Sequence, residues 1–246
     1  MFSFLKSKSV LKDLIPDNHI DIHSHLLPGI DDGAKTFADT LQLTKALLSF
    51  GVSEFICTPH IIQHFWENTH EQIIANQNHT VKALAEKGFS TPFKAAAEYM
   101  MDEQFVRLFQ TQPLLTLKDN YVLVEISYSN APIQLYSTLF DLKVAGYTPV
   151  LAHPERYLFY HKNTAEYDRL KKAGCLFQLN LLAVTGYYGE NIAKIAESLL
   201  QKGLYDFVGS DVHHDRHIAA FDDKVKLKDL NPLKEVIGNN QFFRAT

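Results

Sequence analysis

Residues 37–60 read FADTLQLTKALLSFGVSEFICTPH. Phe37–Phe50 carries the look of a helix and stops at Gly51, a residue that tolerates the left-handed backbone closing a helix. Glu54–His60 then runs as a short apolar stretch of strand length, ending on a polar side chain. Thr36-x-x-Asp39, ahead of the helix, reads as a capping box. Outward from this stretch the same phrase recurs. Strands are expected at His19–His25, Glu54–His60, Phe93–Glu98, Tyr121–Ser127, Thr148–His153, Leu176–Asn180 and Phe207–Asp211. Helices at Glu71–Lys87, Ile133–Ala145, Ala165–Ala173 and Glu190–Lys202 each meet a glycine, and Thr69-x-x-Gln72 marks a second capped start.

Repeated βα units make either a barrel or an open doubly wound sheet. Glycine-rich phosphate loops of the G-x-G-x-x-G or G-x-x-x-x-G-K type are absent, which removes the usual reason for the open nucleotide-binding sheet. Residues 213–246 are interrupted by Lys, Asp and Asn, so no eighth strand is expected. The reading is α/β: one domain built as a distorted seven-stranded, TIM-like βα barrel.

The chain has 246 residues, 46% hydrophobic and 21% charged, with a formal net charge of −4, which excludes disorder and suits one large core. No apolar run approaches the roughly 20 residues of a membrane span. A pI near 6.3 argues against a general nucleic-acid binder. Cys57 and Cys175 are the only cysteines, so neither a disulfide scaffold nor a Cys-x-x-Cys zinc site is available. Twelve histidines stand against one tryptophan. Met1–Asn18 spreads Lys6, Lys8 and Lys12 among Phe2, Phe4, Leu5, Val10 and Leu11, without the apolar core of a secretory signal. It is expected to be a leader on a cytoplasmic protein, 1–18, with the domain running over 19–246.

Chemistry gathers at the strand ends. These are His25, His60, Glu98, Glu125, His153, Asn180 and Asp211, and in a βα barrel all carboxyl ends of strands converge on one active face. In Ile20-Asp21-Ile22-His23-Ser24-His25 the two imidazoles share one side of the strand. Burying both is costly unless something pairs them, and a divalent metal does so well. Asp31 or Asp32, on the next loop, could add an oxygen; turn and helix-dipole chemistry explains Asp31 equally well. Asp32, Glu98, Glu125 and Asp211 supply four charges; His23, His25, His60, His153 and His213 supply five neutral nitrogens. That is too many for one ion of four to six ligands. Three divalent ions with a bridging hydroxide leave the site about +1, suited to a phosphate ester.

Together Asp21-Ile22-His23-Ser24-His25, Asp31-Asp32-Gly33, Thr58-Pro59-His60, Ala97-Glu98, Val124-Glu125-Ile126-Ser127, Ala152-His153-Pro154-Glu155-Arg156-Tyr157 and Ser210-Asp211-Val212-His213 resemble the polymerase and histidinol phosphatase (PHP) superfamily. Within it the chain is similar to bacterial manganese-dependent protein-tyrosine phosphatases of capsule and exopolysaccharide operons. The resemblance implies a distorted seven-stranded barrel and a ligand partition: one ion on His23, His25, Glu98 and Asp211; a second sharing Glu98 with Glu125 and His153; a third on Asp32, His60 and His213. It also implies Arg156 and Arg216 as phosphate ligands and Mn²⁺ as the metal, although such donors also accept Fe, Co or Zn. The implied partner is the tyrosine-phosphorylated tail of a membrane-bound autokinase.

The implied reaction is attack of a metal-bound hydroxide on a phosphotyrosine ester. Cysteine catalysis is excluded, because a Cys-x5-Arg loop would need arginine where Gln63 and Leu181 stand. One departure from some relatives is Ile61-Ile62-Gln63-His64-Phe65-Trp66, where they carry arginines. This aromatic loop could pack on a phosphotyrosine ring or on its own domain. Three rivals remain: a small-molecule phosphatase, an amidohydrolase, which usually has a modified lysine at the fourth strand end, and a non-catalytic metal-stabilised interaction module.

Overall fold

A computed structural model describes residues 9–245. The first part of the expected leader, 1–8, lies outside the described residues. The rest of it packs on the domain: Leu11 is fully buried, and its N–H and that of Lys12 donate to the carbonyls of Asp223 and Phe221. The elements follow as β1 (His19–Asp21), α1 (Phe37–Ser49), β2 (Val52–Cys57), β3 (His60–Ile61), α2 (His70–Glu86), β4 (Phe93–Ala95) and β5 (Glu98–Met100). Then come α3 (Glu103–Thr111), β6 (Tyr121–Glu125), α4 (Leu135–Val144), β7 (Thr148–Ala152), α5 (Ala165–Lys172), β8 (Leu176–Asn180), α6 (Glu190–Gln201), β9 (Phe207–Gly209), α7 (Asp215–Ala220) and α8 (Asn231–Asn239). Thr36 and Thr69 form the expected capping boxes with Asp39 and Gln72.

All strand pairs are parallel, in a three-stranded sheet β1-β2-β4 and a six-stranded sheet β3-β5-β6-β7-β8-β9. This corrects the expected strand count: among the described residues there are nine strands rather than seven. The second expected strand breaks at Thr58-Pro59, where proline lacks the N–H a ladder needs. The third breaks alongside it at Ala96-Ala97. Pairing nevertheless carries across both breaks, since Ala96 N–H donates to Cys57 O (2.7 Å) and Glu98 N–H to Pro59 O (3.1 Å). The first strand is also shorter than expected. Beyond Asp21 the chain is bonded on both sides: Ser24 O accepts from Thr58 N–H just past β2 (2.8 Å), while Asp211 N–H donates to His23 O (2.7 Å) and His25 N–H to Val212 O (3.0 Å) past β9. Helix α3 was not anticipated. The tail forms helices and no strand among the described residues.

Alternation along the strands separates two cores. Phe55, Val122, Val124, Leu151, Phe177 and Leu179 pack against the helices; Ile20, Ile22, Ile56, Leu123, Val150, Ala152 and Phe207 form a second cluster on the opposite face. At the amino ends of β1 and β9 the buried Asn240 acts as a substitute peptide. Its Nδ2 donates to the carbonyls of Ile20 and Val208 (both 2.9 Å), and its Oδ1 accepts from Val208 N–H (3.0 Å). No helix among the described residues is long and apolar enough to cross a membrane.

Candidate metal centre

Parallel strands send their carboxyl ends to one side, and the nine expected donors gather towards it, Glu125 closing β6, His153 and Asp211 following β7 and β9, and His60 and Glu98 opening β3 and β5 at the strand breaks. Three imidazoles are aimed by what their outer nitrogen binds. His23 Nδ1 donates to Gln178 Oε1 (2.8 Å), His25 Nδ1 to Asp31 Oδ2 (2.7 Å) and His213 Nδ1 to the Asp211 carbonyl (2.9 Å). Each bond selects the tautomer that leaves Nε2 as the inner, lone-pair nitrogen. The Nε2 atoms of His23 and His25 stand 3.3 Å apart, both 3.2–3.4 Å from Asp211 Oδ1 and Glu98 Oε2. Glu98 is wholly buried and faces two further imidazoles, His60 Nδ1 from Oε2 and His153 Nε2 from Oε1, each at 3.1 Å. Glu125 Oε1 also lies 3.1 Å from His60 Nδ1, and Asp32 Oδ1 lies 3.4 Å from Nε2 of both His60 and His213.

These atoms form four overlapping sets, each spanning no more than 4.8 Å: His25, Asp32, His60 and His213; His23, Glu98 and His153; His23, His25 and Asp211; His60, Glu98 and Glu125. Within them His60 Nδ1, Glu98 Oε2 and Glu125 Oε1 are buried without a hydrogen-bond partner. Native interiors seldom leave such atoms unpaired. Here the shortfall falls where imidazole and carboxylate donors converge, which is the chemistry divalent transition ions take. The donor set therefore fits bound metal ions.

Without cations the cluster neutralises itself with protons. Burial opposes charge on His23, yet Glu98 and Asp211 outweigh it and push the imidazole up to about 10. His25 and His60 are raised against the same penalty, His25 beside Asp31 and His60 beside Glu98 and Glu125. Glu98 and Asp211 are correspondingly held well below the usual carboxylate range, against burial, by the facing imidazoles.

The backbone is tailored to this convergence. His153 and Asp211 adopt left-handed φ values of 37° and 52°, uncommon for residues with side chains, as the chain turns out of β7 and past the end of β9. Gly33 and Gly209 leave room for the histidines: a Cβ on Gly33 would stand 2.4 Å from His25 Cβ, and one on Gly209 2.5 Å from His23 Cβ.

A cleft of about 370 Å³ opens over the donors, lined also by Ile62, Trp66, Met100, Tyr128, Arg156, Tyr188, His214 and His217. Arg156 lies between two rings, its guanidinium carbon 4.9 Å from the Tyr128 centroid and 4.2 Å from that of Tyr188. Its Nη1 donates to Asp211 Oδ2 (2.8 Å), which also accepts from Asn180 Nδ2 (2.8 Å). Arg216, expected beside the phosphate, is instead exposed on α7 and does not line the cleft. The next residue, His217, is buried and does, because consecutive helical residues point about 100° apart.

The profile of a family described as capsular polysaccharide synthesis, CpsB/CapC, matches residues 19–221. The chain belongs to the CpsB/CapC family. The resemblance read from its motifs is thereby borne out. Tyrosine-protein phosphatase YwqE of Bacillus subtilis is 28% identical over 196 residues, covering 79% of this chain and 77% of that protein. Tyrosine-protein phosphatase CpsB of Streptococcus pneumoniae is 28% identical over 201 residues, covering 79% and 83%. The fold matches a crystal structure from work on YwqE and CpsB, described as unique metal-dependent tyrosine phosphatases, with TM-score 0.80 and 25% identity over 91% of this chain and 93% of that one. A histidinol phosphate phosphatase from Lactococcus lactis shares the fold at TM-score 0.53 and 13% identity, over 82% and 90%.

Several residues of this CpsB/CapC centre escaped the sequence reading: Asp31 as the partner of His25, Gln178 as that of His23, the Tyr128–Tyr188 pair, and His217. Gln178 and Asn180 carried a usable signal. They alternate on β8 at the two-residue spacing of His23 and His25, so both face the site.

Proposed function

We propose that this chain is a metal-dependent phosphatase that hydrolyses phosphotyrosine in proteins and acts in capsular or exopolysaccharide synthesis. One observation carries the reading: the wholly buried Glu98 faces four imidazoles beneath an open cleft that also presents Arg156. Relatives named as tyrosine phosphatases across most of the chain's length support the substrate class. In this reading the nine strands are the broken staves of one distorted seven-stranded barrel, bonded between His23–His25 and Asp211–Val212. The domain spans 19–246, behind an extension, 1–18.

The site would hold three divalent ions, Mn²⁺ foremost, on His23, His25, Glu98 and Asp211; on Glu98, Glu125 and His153; and on Asp32, His60 and His213. When bound, such ions polarise phosphoryl oxygens and lower the pKa of coordinated water towards 7. Arg156, held by Asp211 and two tyrosine rings, binds a non-bridging phosphoryl oxygen and stabilises its charge as the ester breaks. The departing phenolate has an ordinary pKa of about 10, so its departure makes little demand on a protein acid. The substrate would be the tyrosine-phosphorylated tail of a membrane-bound autokinase, met in the cytoplasm.

The test pairs metal content with substrate choice. After Mn²⁺ loading and desalting, elemental analysis should find three ions per chain, with phosphate released from a phosphotyrosyl peptide in preference to histidinol phosphate. Turnover of histidinol phosphate or nucleotides alone would contradict the reading.

A further inference from the structure

The cleft has three large aromatic side chains in its lining, and two of them are already engaged. Tyr128 and Tyr188 each turn a face to the Arg156 guanidinium. Trp66 differs: among the described residues it makes no ring contact, and its indole nitrogen has no hydrogen-bond partner. It is half-buried and fixed on the cleft wall by a tight hairpin, in which Ile62 N–H donates to Trp66 O and Trp66 N–H to Ile62 O, both at 2.9 Å. His64 takes the left-handed turn within this hairpin (φ 68°), and Phe65 stands out into solvent. Ile62, at the hairpin base, and Met100, at the end of β5, extend the apolar lining beside the indole.

A phosphate ester bound by Arg156 and the donor cluster carries its organic group into this lining. In an aryl ester the ring is one oxygen from phosphorus, whereas a serine or sugar ester offers a methylene and then polar groups. Only the aryl ester brings a flat apolar face next to a free indole, and such ring pairs gain beyond the area they bury. The geometry points to Trp66 as the residue that selects aryl over alkyl phosphate esters, by stacking on the substrate ring. This inference rests on the phosphatase reading and names the side chain that sets its substrate class.

Because Trp66 is the only tryptophan in the chain, its fluorescence reports the contact directly. With metal-loaded protein, benzylphosphonate should shift the emission saturably, while methylphosphonate, at concentrations that inhibit turnover equally, should leave it unchanged. In kinetics, Trp66→Leu should raise KM for a phosphotyrosyl peptide about tenfold, with kcat within about twofold. KM for glycerol phosphate should not move, and Trp66→Phe should restore most of the loss. Equal emission shifts with both phosphonates, or an aryl-to-alkyl ratio unaltered by Trp66→Leu, would overturn the inference and leave the phosphatase reading standing. Absence of phosphate release from the peptide by wild-type protein would instead overturn that reading, and the inference with it.

Discussion

Arg156 and Asp211 share one carboxylate between two tasks. Arg156 Nη1 holds Asp211 Oδ2 at 2.8 Å, while Asp211 Oδ1 faces the Nε2 atoms of His23 and His25 at 3.2 and 3.4 Å. The cation that would receive the phosphoryl group is thus tied through one side chain to the donors beneath it. Tyr128 and Tyr188 flank the guanidinium, their ring centroids 4.9 and 4.2 Å from its carbon.

Arg156→Lys keeps the charge but loses the planar fork and the double stacking. It should lower kcat/KM for a phosphotyrosyl peptide by about 10²-fold, an effect of the size that removing one transition-state donor has. Steady-state kinetics beside a melting curve checks this; a variant with full activity would remove Arg156 from substrate binding.

Metal uptake should expel protons. His23 sits near pKa 10 because Glu98 and Asp211 outweigh burial, so the metal-free imidazole is charged at neutral pH. A ligand must be neutral, so loading releases that proton and affinity falls as pH falls. The folded value lies above the ordinary 6.5. This pairing therefore stabilises the metal-free fold fully below pH 6.5 and fades as pH rises towards 10. Calorimetry of Mn²⁺ binding in two buffers of different ionisation enthalpy should show release of at least about one proton per chain; identical heats would contradict it.

His19 supplies the opposite sign. It is buried with neither ring nitrogen hydrogen-bonded, and burial lowers its pKa to about 4. The unfolded chain takes up a proton near 6.5 and the folded one does not, so stability present above pH 6.5 is lost as pH falls towards 4. Between pH 7 and pH 5 the loss is about 2 kcal/mol. Urea unfolding should show a smaller acid loss in His19→Leu than in wild type by about that amount; equal losses would show that His19 is not the group responsible.

Asn240 closes the amino ends of β1 and β9 with three hydrogen bonds to buried backbone. Asn240→Ala should destabilise by about 3 kcal/mol or more, because backbone groups of Val208 and Ile20 are left without partners. Unfolding midpoints measure it, and a loss below about 1 kcal/mol would mean water replaces the side chain.

Much of this centre was legible because strand ends are local: a short apolar run closing on His or Glu states where its side chain goes. What could not be read depends on distant partners or on phase. The choice between Asp31 and Asp32 is made by His25 Nδ1 and the His60 N–H, both of which Asp31 Oδ2 engages, leaving Asp32 to face His60 and His213. Gln178 orients His23 from 155 residues away. Arg216 and His217 are neighbours in the first turn of α7, and a shift of one residue exchanges which of them enters the cleft. The strand breaks follow from Pro59 and the paired backbone beside it, so Pro59 was the one visible sign that the count would exceed seven.

The most direct test strips the protein with a chelator, restores Mn²⁺, and follows phosphate release from a phosphotyrosyl peptide, with His23→Ala alongside. Activity lost on chelation, regained with Mn²⁺ in wild type, and absent from the variant is the predicted result. Release that survives chelation, or that His23→Ala retains, would contradict a phosphatase built on this metal centre.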